Sequence, residues 1–156
     1  LEALSDRVFA PEFESFRNRQ LQGKQGVEAI ELSLDQNFSG DRVLALVSGL
    51  DYMLRQSYDF QSDFYLLSEL DAQKLYNSAR NVEILVWRLS NTRSVTGEPL
   101  LLTNSRPSET ANLSYERLFG KLIANQDMLA EIVAQKNQRV IKTVVQNVAS
   151  MVFLPI

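Results

Sequence analysis

The chain contains no histidine and no cysteine among its 156 residues. Without histidine it lacks the side chain that most often acts as general acid or base near neutral pH, and the Ser-His-Asp nucleophile system with it. Without cysteine it has no thiolate nucleophile and no disulfide, and zinc sites built from thiolate and imidazole are excluded. The net charge of −3 gives no reason to expect a basic face for nucleic acid.

Long hydrophobic runs are also missing, since no stretch approaches the roughly 20 apolar residues of a membrane span. The chain has no Walker loop and no GxGxxG motif, so no phosphate-binding cofactor is expected. With 45% hydrophobic residues in 156, it is long enough to bury a core without a metal or disulfide. These properties predict a single helical domain over residues 1–156 with no cofactor and no metal.

Helical spacing accounts for most of the apolar pattern. Apolar residues at three- and four-residue steps predict one helix over Asp41–Ser57, capped by Ser39, and another over Asp71–Leu89, capped by its first residue. A short helical segment with Pro11 in its first turn is expected before them. Ile30–Leu34 alternates between apolar and polar residues, which favours a short strand, with a helix nearly as compatible.

The strongest periodicity lies near the C-terminal end of the sequence. Two sets of apolar residues recur every eleven positions: Leu118, Leu129, Val140 and Met151, and Leu122, Val133 and Val144. An eleven-residue repeat corresponds to 3.67 residues per turn, close to a straight α-helix. It predicts an amphipathic helix over Glu109–Ser150, capped by Ser108, about 60 Å long if unbroken. The third position of each repeat is polar, so the stripe is as narrow as a helix–helix seam.

Together these patterns predict an all-α fold. We expect an irregular bundle of about four to five helices with a long C-terminal amphipathic helix. One minor strand pair, near Ile30–Leu34 or Leu100–Leu102, would be compatible with this architecture. The candidate interface on the last helix consists of six side chains: Leu118, Leu122, Leu129, Val133, Val140 and Val144.

Two short motifs resemble known sites without completing them. Asp35–Gly40 matches the first half of an EF-hand calcium loop, but Arg42 stands where an apolar residue is usual, and Leu46 where the bidentate Glu belongs. An Asx turn leading into the Ser39 cap is the simpler interpretation. Gly23–Gly26 has the GxxG form of a KH loop, but a plain helix–helix turn is favoured in an acidic chain.

Aromatic residues concentrate between two of the predicted helices. A candidate ligand surface for a lipid, glycan or peptide consists of Tyr58, Phe60, Phe64, Tyr65 and Trp87, with carboxylates interleaved. Aromatic residues that fix an irregular segment to the core are the alternative. Close carboxylate pairs such as Asp59 with Asp63 and Asp127 with Glu131 leave a carboxylate-dependent hydrolase as a second alternative. Nothing singles out one pair, so no catalytic residue is assigned.

The segment Thr143–Ile156 carries no charge and follows Lys136, Arg139 and Lys142. Such a segment can dock on a membrane surface or a partner helix, or can be buried in its own domain. The first residue is not Met, which, with the missing cysteine, favours the soluble part of a bacterial envelope protein over a cytoplasmic fragment. We therefore expect a non-enzymatic interaction or scaffold domain that binds a protein partner or itself, and no nucleic acid.

Overall fold

A computed structural model describes residues 11–61, 70–103, 109–110, 114–138, 140–142 and 152–156. These ranges contain five helices: α1 Pro11–Gln20, α2 Gly26–Leu34, α3 Arg42–Ser57, α4 Ala72–Asn91 and α5 Ser114–Lys136. In the same ranges, β pairing is limited to an isolated bridge between Arg93 and Pro99. The predicted all-α fold is confirmed. No described helix has both the length and the apolar character needed to cross a membrane.

The chain divides into two compact units, Leu1–Tyr52 and Met53–Ile156, and the boundary falls inside α3. A buried cluster in the first unit consists of Leu21, Leu32, Phe38 and Ala45. A buried cluster in the second consists of Leu70, Ala72, Leu75, Ala130, Val133 and Ala134. The organisation of residues 1–156 as a single domain stays a prediction.

Helices α2 and α3 lie in close contact in the first unit. A Cβ atom added at Gly49 of α3 would lie 2.7 Å from the carbonyl oxygen of Gly26 and 2.8 Å from the backbone nitrogen of Ile30. Real Cβ atoms essentially never come so near to backbone atoms. The crossing of these two helices therefore requires glycine at position 49.

The strand interpretation of Ile30–Leu34 is wrong, because these residues form the second half of α2. The alternation misled because α2 is buried on more than one side: Leu32 and Leu34 are buried, and so are Ala29, Ile30 and Ser33. Buried positions at three- and four-residue steps fit a helix that is covered on most of its surface. The Ser33 hydroxyl is satisfied within the helix, where it donates to the Ile30 carbonyl oxygen at 2.6 Å.

The two central helices begin and end close to where the spacing predicted. The Asp71 side chain caps α4 by accepting a hydrogen bond from the Gln73 backbone N–H at 2.8 Å, as expected. The cap of α3 differs, because Asp41 accepts from the Leu44 N–H at 2.9 Å. Asp41 directly precedes the first helical residue, whereas Ser39 lies too early to reach the free N–H groups of the first turn.

The last helix, α5, ends at Lys136 and does not continue to Ser150 as the eleven-residue repeat suggested. Gln138 adopts a left-handed conformation with φ 52°, which breaks the helix. Val140, the next member of the repeat, lies outside the helix and is 91% exposed. At 23 residues α5 spans about 35 Å. The predicted Ser108 cap and residues 143–150 lie outside the described ranges.

Candidate functional site

Helix α5 carries two different faces. Its buried face packs on α4 and consists of Phe119, Gln126, Ala130, Val133 and Ala134. Next to this face lies an apolar row that we call the outer stripe: Leu118, Leu122, Met128, Leu129 and Ile132. Leu129, at the inner edge of the stripe, also packs against the buried cluster of the second unit. Within the stripe, Leu118 is 63% exposed, Met128 55% and Ile132 41%. The buried face alone accounts for the packing of α5 on α4. The exposed apolar side chains of the outer stripe are not explained by that packing.

The six predicted interface residues are distributed over both faces. Leu118 is exposed, and Leu122 and Leu129 are half-buried on the outer stripe. Val133 is fully buried in the core beside Leu75 of α4. Val140 lies beyond the helix, and Val144 lies outside the described ranges. Spacing groups Val133 with Leu122 and Leu129 because the three are neighbours on the helix surface, and the boundary between core and surface runs between them.

The aromatic candidates are likewise in different environments. The Tyr58 hydroxyl donates to Oε1 of Gln126 on α5 at 2.6 Å, and its ring packs against the core cluster of the second unit. Burial raises the pKa of Tyr58, and the hydrogen bond to Gln126 lowers it by less. Phe60 is 54% exposed in a turn with φ 57°, and Trp87 is 41% exposed on α4. Phe64 and Tyr65 lie outside the described residues.

One carboxylate of each proposed pair, Asp127 and Asp59, has a basic partner instead. Asp127 of α5 accepts a hydrogen bond from Arg80 of α4 at 2.6 Å, and Arg80 also lies 3.1 Å from Glu83. Asp59 pairs with Lys74. Burial raises the pKa of Glu83, partly offset by the charge of Arg80. The Arg80–Asp127 contact joins α4 to α5, and all three acids serve as ion-pair partners.

The resemblance of Asp35–Gly40 to a calcium loop has a structural basis, although a side chain takes the central place. Arg42 Nη1 donates to the carbonyl oxygens of Ser33 and Asp35 at 2.8 and 2.6 Å. Nη2 donates to those of Gln36 and Phe38 at 3.2 and 2.9 Å. The guanidinium thus binds four carbonyl oxygens, one at the end of α2 and three in the turn that follows it. The expected Asx turn is present, with the Asn37 N–H donating to Asp35 Oδ1 at 2.9 Å.

A row of amide side chains on α4 was not predicted. Gln73, Asn77 and Asn81 lie four residues apart and therefore on one face of the helix, and we call them the amide row. Gln73 pairs with both backbone groups of Lys142: its Nε2 donates to the carbonyl at 3.1 Å and its Oε1 accepts from the N–H at 2.8 Å. Within the row, Gln73 Nε2 also donates to Asn77 Oδ1 at 2.9 Å.

The rest of the amide row holds the segment Val152–Ile156. Asn81 pairs with both backbone groups of Leu154, donating to the carbonyl at 2.9 Å and accepting from the N–H at 2.6 Å. Asn77 donates to the Pro155 carbonyl at 2.9 Å. Asn81 is fully buried and Asn77 nearly so, which is unusual for amides unless their hydrogen bonds are made. Amides at four-residue spacing inside an apolar helix face were the available signal in the sequence.

The described part of the chain contains open cavities in both units. One of 420 Å³ in the first unit is lined by Phe16, Arg19, Gln20, Gln22, Phe38, Ser39 and Gly40. One of 190 Å³ in the second unit is lined by Leu89, Ser90, Arg93, Pro99, Leu101, Leu102 and Thr103. Neither lining contains a carboxylate. No three described acidic side chains are grouped closely enough to hold a metal ion.

Comparison with known protein families, curated proteins and solved structures finds no match to this chain.

Proposed function

We propose that this chain is a non-enzymatic interaction domain that associates with a second copy of itself through the outer stripe of α5. The observation that carries the proposal is the exposure of Leu118, Met128 and Ile132 on a helix whose adjacent face already supplies the core. Large apolar side chains aligned on one helix face are typical of helix–helix contacts.

The order of residues along the stripe favours a second copy over an unrelated helix. The stripe is nearly symmetric about Asn125: Leu118 lies seven positions before it and Ile132 seven after, while Leu122 and Met128 lie three before and three after. In an antiparallel pair of α5 helices related by a twofold axis at Asn125, Leu118 meets Ile132 and Leu122 meets Met128. A self-complementary patch of this kind is what a twofold interface requires.

Asn125 at the centre of the pair would set its register. A polar residue at one position of an apolar helix seam lowers stability but disfavours shifted alignments, which would bury the amide against leucine. In the twofold arrangement the two Asn125 amides face each other and can exchange hydrogen bonds. Asn125, a polar position within the apolar repeat, would thus fix the alignment of the two helices.

The association is tested by sedimentation equilibrium of the intact chain from 1 to 200 μM. The double variant Leu118→Ser and Ile132→Ser is expected to weaken self-association at least about a hundredfold, because two apolar side chains lose their burial. The matched control is Val43→Ser with Val47→Ser on α3, two side chains of similar exposure, 59% and 58%. The proposal fails if the wild type is monomeric at 200 μM, or if both double variants weaken association equally.

The register is tested by cross-linking, for which the natural absence of cysteine is convenient. Asn125→Cys places one thiol on the proposed twofold axis, where two copies bring their Cα atoms near disulfide range. Mild oxidation is expected to give a covalent dimer. Glu131→Cys, on the same helix but off the stripe, serves as the control. Equal yields from the two variants would contradict the antiparallel arrangement about Asn125.

A further inference from the structure

The amide row on α4 binds main chain and not side chains. Asn81 offers one donor and one acceptor to the two backbone groups of a single residue, Leu154, as a neighbouring β-strand would. Gln73 does the same for Lys142. Any extended backbone presents these groups at the same spacing. The row therefore has the chemistry of a site for an extended peptide, and Val152–Ile156 occupies it.

Side-chain fit comes from the residues on either side of that pairing. The guanidinium carbon of Arg88 lies 4.8 Å from the centre of the Phe153 ring, which is only 8% exposed. Gln56 Nε2 donates to the Ile156 backbone oxygen at 3.1 Å. Pro155 has no N–H to satisfy, and its carbonyl is bound by Asn77. An aromatic residue followed by Leu-Pro is the sequence that these contacts fit.

We infer that the amide row is a peptide-binding site that takes the Phe153–Ile156 segment of a second copy of this chain in place of its own. The fitting sequence present in the structure is the chain's own, and every second copy carries it. The hydrogen bonds are the same whether the segment comes from the same chain or from another, so exchange loses none of them. This contact is separate from the outer stripe of α5 and does not depend on it.

The segment of the same chain competes with that of the second copy. Attachment to the same chain gives a local concentration on the order of millimolar. An own segment bound at least about ten to one therefore implies an intrinsic dissociation constant on the order of 100 μM or tighter. Wild-type chains therefore exchange little at protein concentrations below the millimolar local concentration of the attached segment. Exchange becomes measurable when one copy has a defective row and the other a defective segment.

The experiment mixes two such variants, both carrying Leu118→Ser and Ile132→Ser to remove association through α5. One has Asn81→Leu, which keeps the volume but loses both bonds to Leu154. The other has Phe153→Ala, which weakens its own segment at least about a hundredfold. In native mass spectra at 200 μM, the mixture is expected to form a heterodimer, and each variant alone is expected to stay monomeric.

The control replaces Asn81→Leu by Asn91→Leu, an exposed amide on the same helix whose Nδ2 donates to the Trp87 carbonyl at 2.7 Å. Its chain keeps its own segment bound and is expected to form at least about tenfold less heterodimer. The inference is overturned if the first mixture forms no heterodimer while both partners keep their helical circular dichroism. It is also overturned if the control mixture forms just as much.

A second measurement uses the wild-type chain and does not depend on how the variants fold. The ¹⁵N-labelled chain is titrated with unlabelled peptide of sequence Val152–Ile156 up to 5 mM, with a scrambled peptide as control. The Leu154 amide signal is expected to move to its unbound position while the side-chain amide signal of Asn81 stays in place. If neither peptide, or both equally, displaces the segment, the row is not an exchangeable site and the inference fails.

Discussion

The loop between α2 and α3 and the segment Val152–Ile156 are both irregular, and each is held by side chains that bind backbone. In the loop, the guanidinium of Arg42 binds four carbonyl oxygens. In the segment, Asn81 binds both the N–H and the carbonyl of one residue. The two regions solve the same problem, the hydrogen-bonding of backbone outside helices, with different chemical groups.

The difference follows from what each side chain can donate and accept. A guanidinium has five N–H donors and no acceptor, so it suits a turn whose carbonyl oxygens point to one centre. A carboxamide has both, so it suits an extended chain, whose N–H and carbonyl groups lie side by side. A turn whose carbonyl oxygens all bind one guanidinium offers no paired donor and acceptor that another chain could match. A segment whose N–H and carbonyl groups are both bound by amides leaves a pattern that another chain can reproduce.

Loss of the amide at position 81 is expected to have the largest effect on stability. Asn81→Leu leaves the Leu154 N–H and carbonyl without partners and is expected to lower the free energy of unfolding by about 2–3 kcal/mol. Urea unfolding followed by circular dichroism measures it. Asn91→Leu, where the amide is exposed, is expected to change it by less than about 1 kcal/mol. A loss below that limit for Asn81→Leu would mean that the two hydrogen bonds of Asn81 contribute little to holding the segment.

Loss of the guanidinium in the loop is expected to have the next largest effect. Arg42→Met keeps the aliphatic stem and removes the donors to four carbonyl oxygens, with an expected loss of about 2 kcal/mol, because some of these oxygens are reached by water. Arg42→Lys restores the charge without the planar fork and is expected to recover less than half of that loss. Full recovery by lysine, measured in the same urea titrations, would show that charge and not geometry orders the loop.

The smallest expected effect is on the pH dependence of stability. It arises from the ion pair of Glu83 and not from the loop or the segment. Burial raises the folded-state pKa of Glu83 above its ordinary value of 4.5 despite Arg80. The folded chain therefore holds this proton more tightly, and the stability gained from it is lost as pH rises through the raised pKa. Glu83→Gln is expected to remove that loss, worth less than about 0.5 kcal/mol for a partly exposed group.

Urea unfolding of the wild type and Glu83→Gln at pH 4 and pH 7 measures this difference. Neither Asn81→Leu nor Arg42→Met alters a carboxyl group, so both variants are expected to show the same pH dependence as the wild type. A variant of either region that altered the pH dependence would link it to a carboxylate. The separation of the two regions from the charged contacts would then be wrong.

Sequence reasoning located α3 and α4 well because both are long, strongly periodic and amphipathic. It also identified the Asp71 cap, since the capping carboxylate lies next to the helix that it caps. It placed the end of α5 too late, because Val140 continues the apolar repeat whereas the backbone at Gln138 turns out of the helix. The spacing of apolar residues predicts which side chains share a helix face, but it does not predict that a single residue adopts a left-handed backbone conformation.

The candidate site could be predicted only in part for a related reason. Leu118, Leu122 and Leu129 were selected by their spacing, but which helix face is covered depends on α4, far away in the sequence. The bond between Asn81 and Leu154 joins residues 73 positions apart. The role of Arg42 depends on residues nearby in the sequence. The same arginine that rules out a calcium loop supplies a positive charge to bind the loop carbonyl oxygens. Local sequence patterns predict helices, whereas polar contacts between residues far apart in the sequence can be found only once the fold is known.

The close crossing at Gly49 affects how functional residues in this chain can be recognised by mutation. Even alanine there would bring a methyl group within 2.7 Å of backbone, so α2 and α3 would have to move apart. In a survey of tolerated substitutions, position 49 would stand out as sharply as an active-site residue. Leu118, exposed in the isolated chain, would look permissive unless the assay reported association. For this chain, intolerance marks where helices touch, and binding surfaces emerge only when binding is measured.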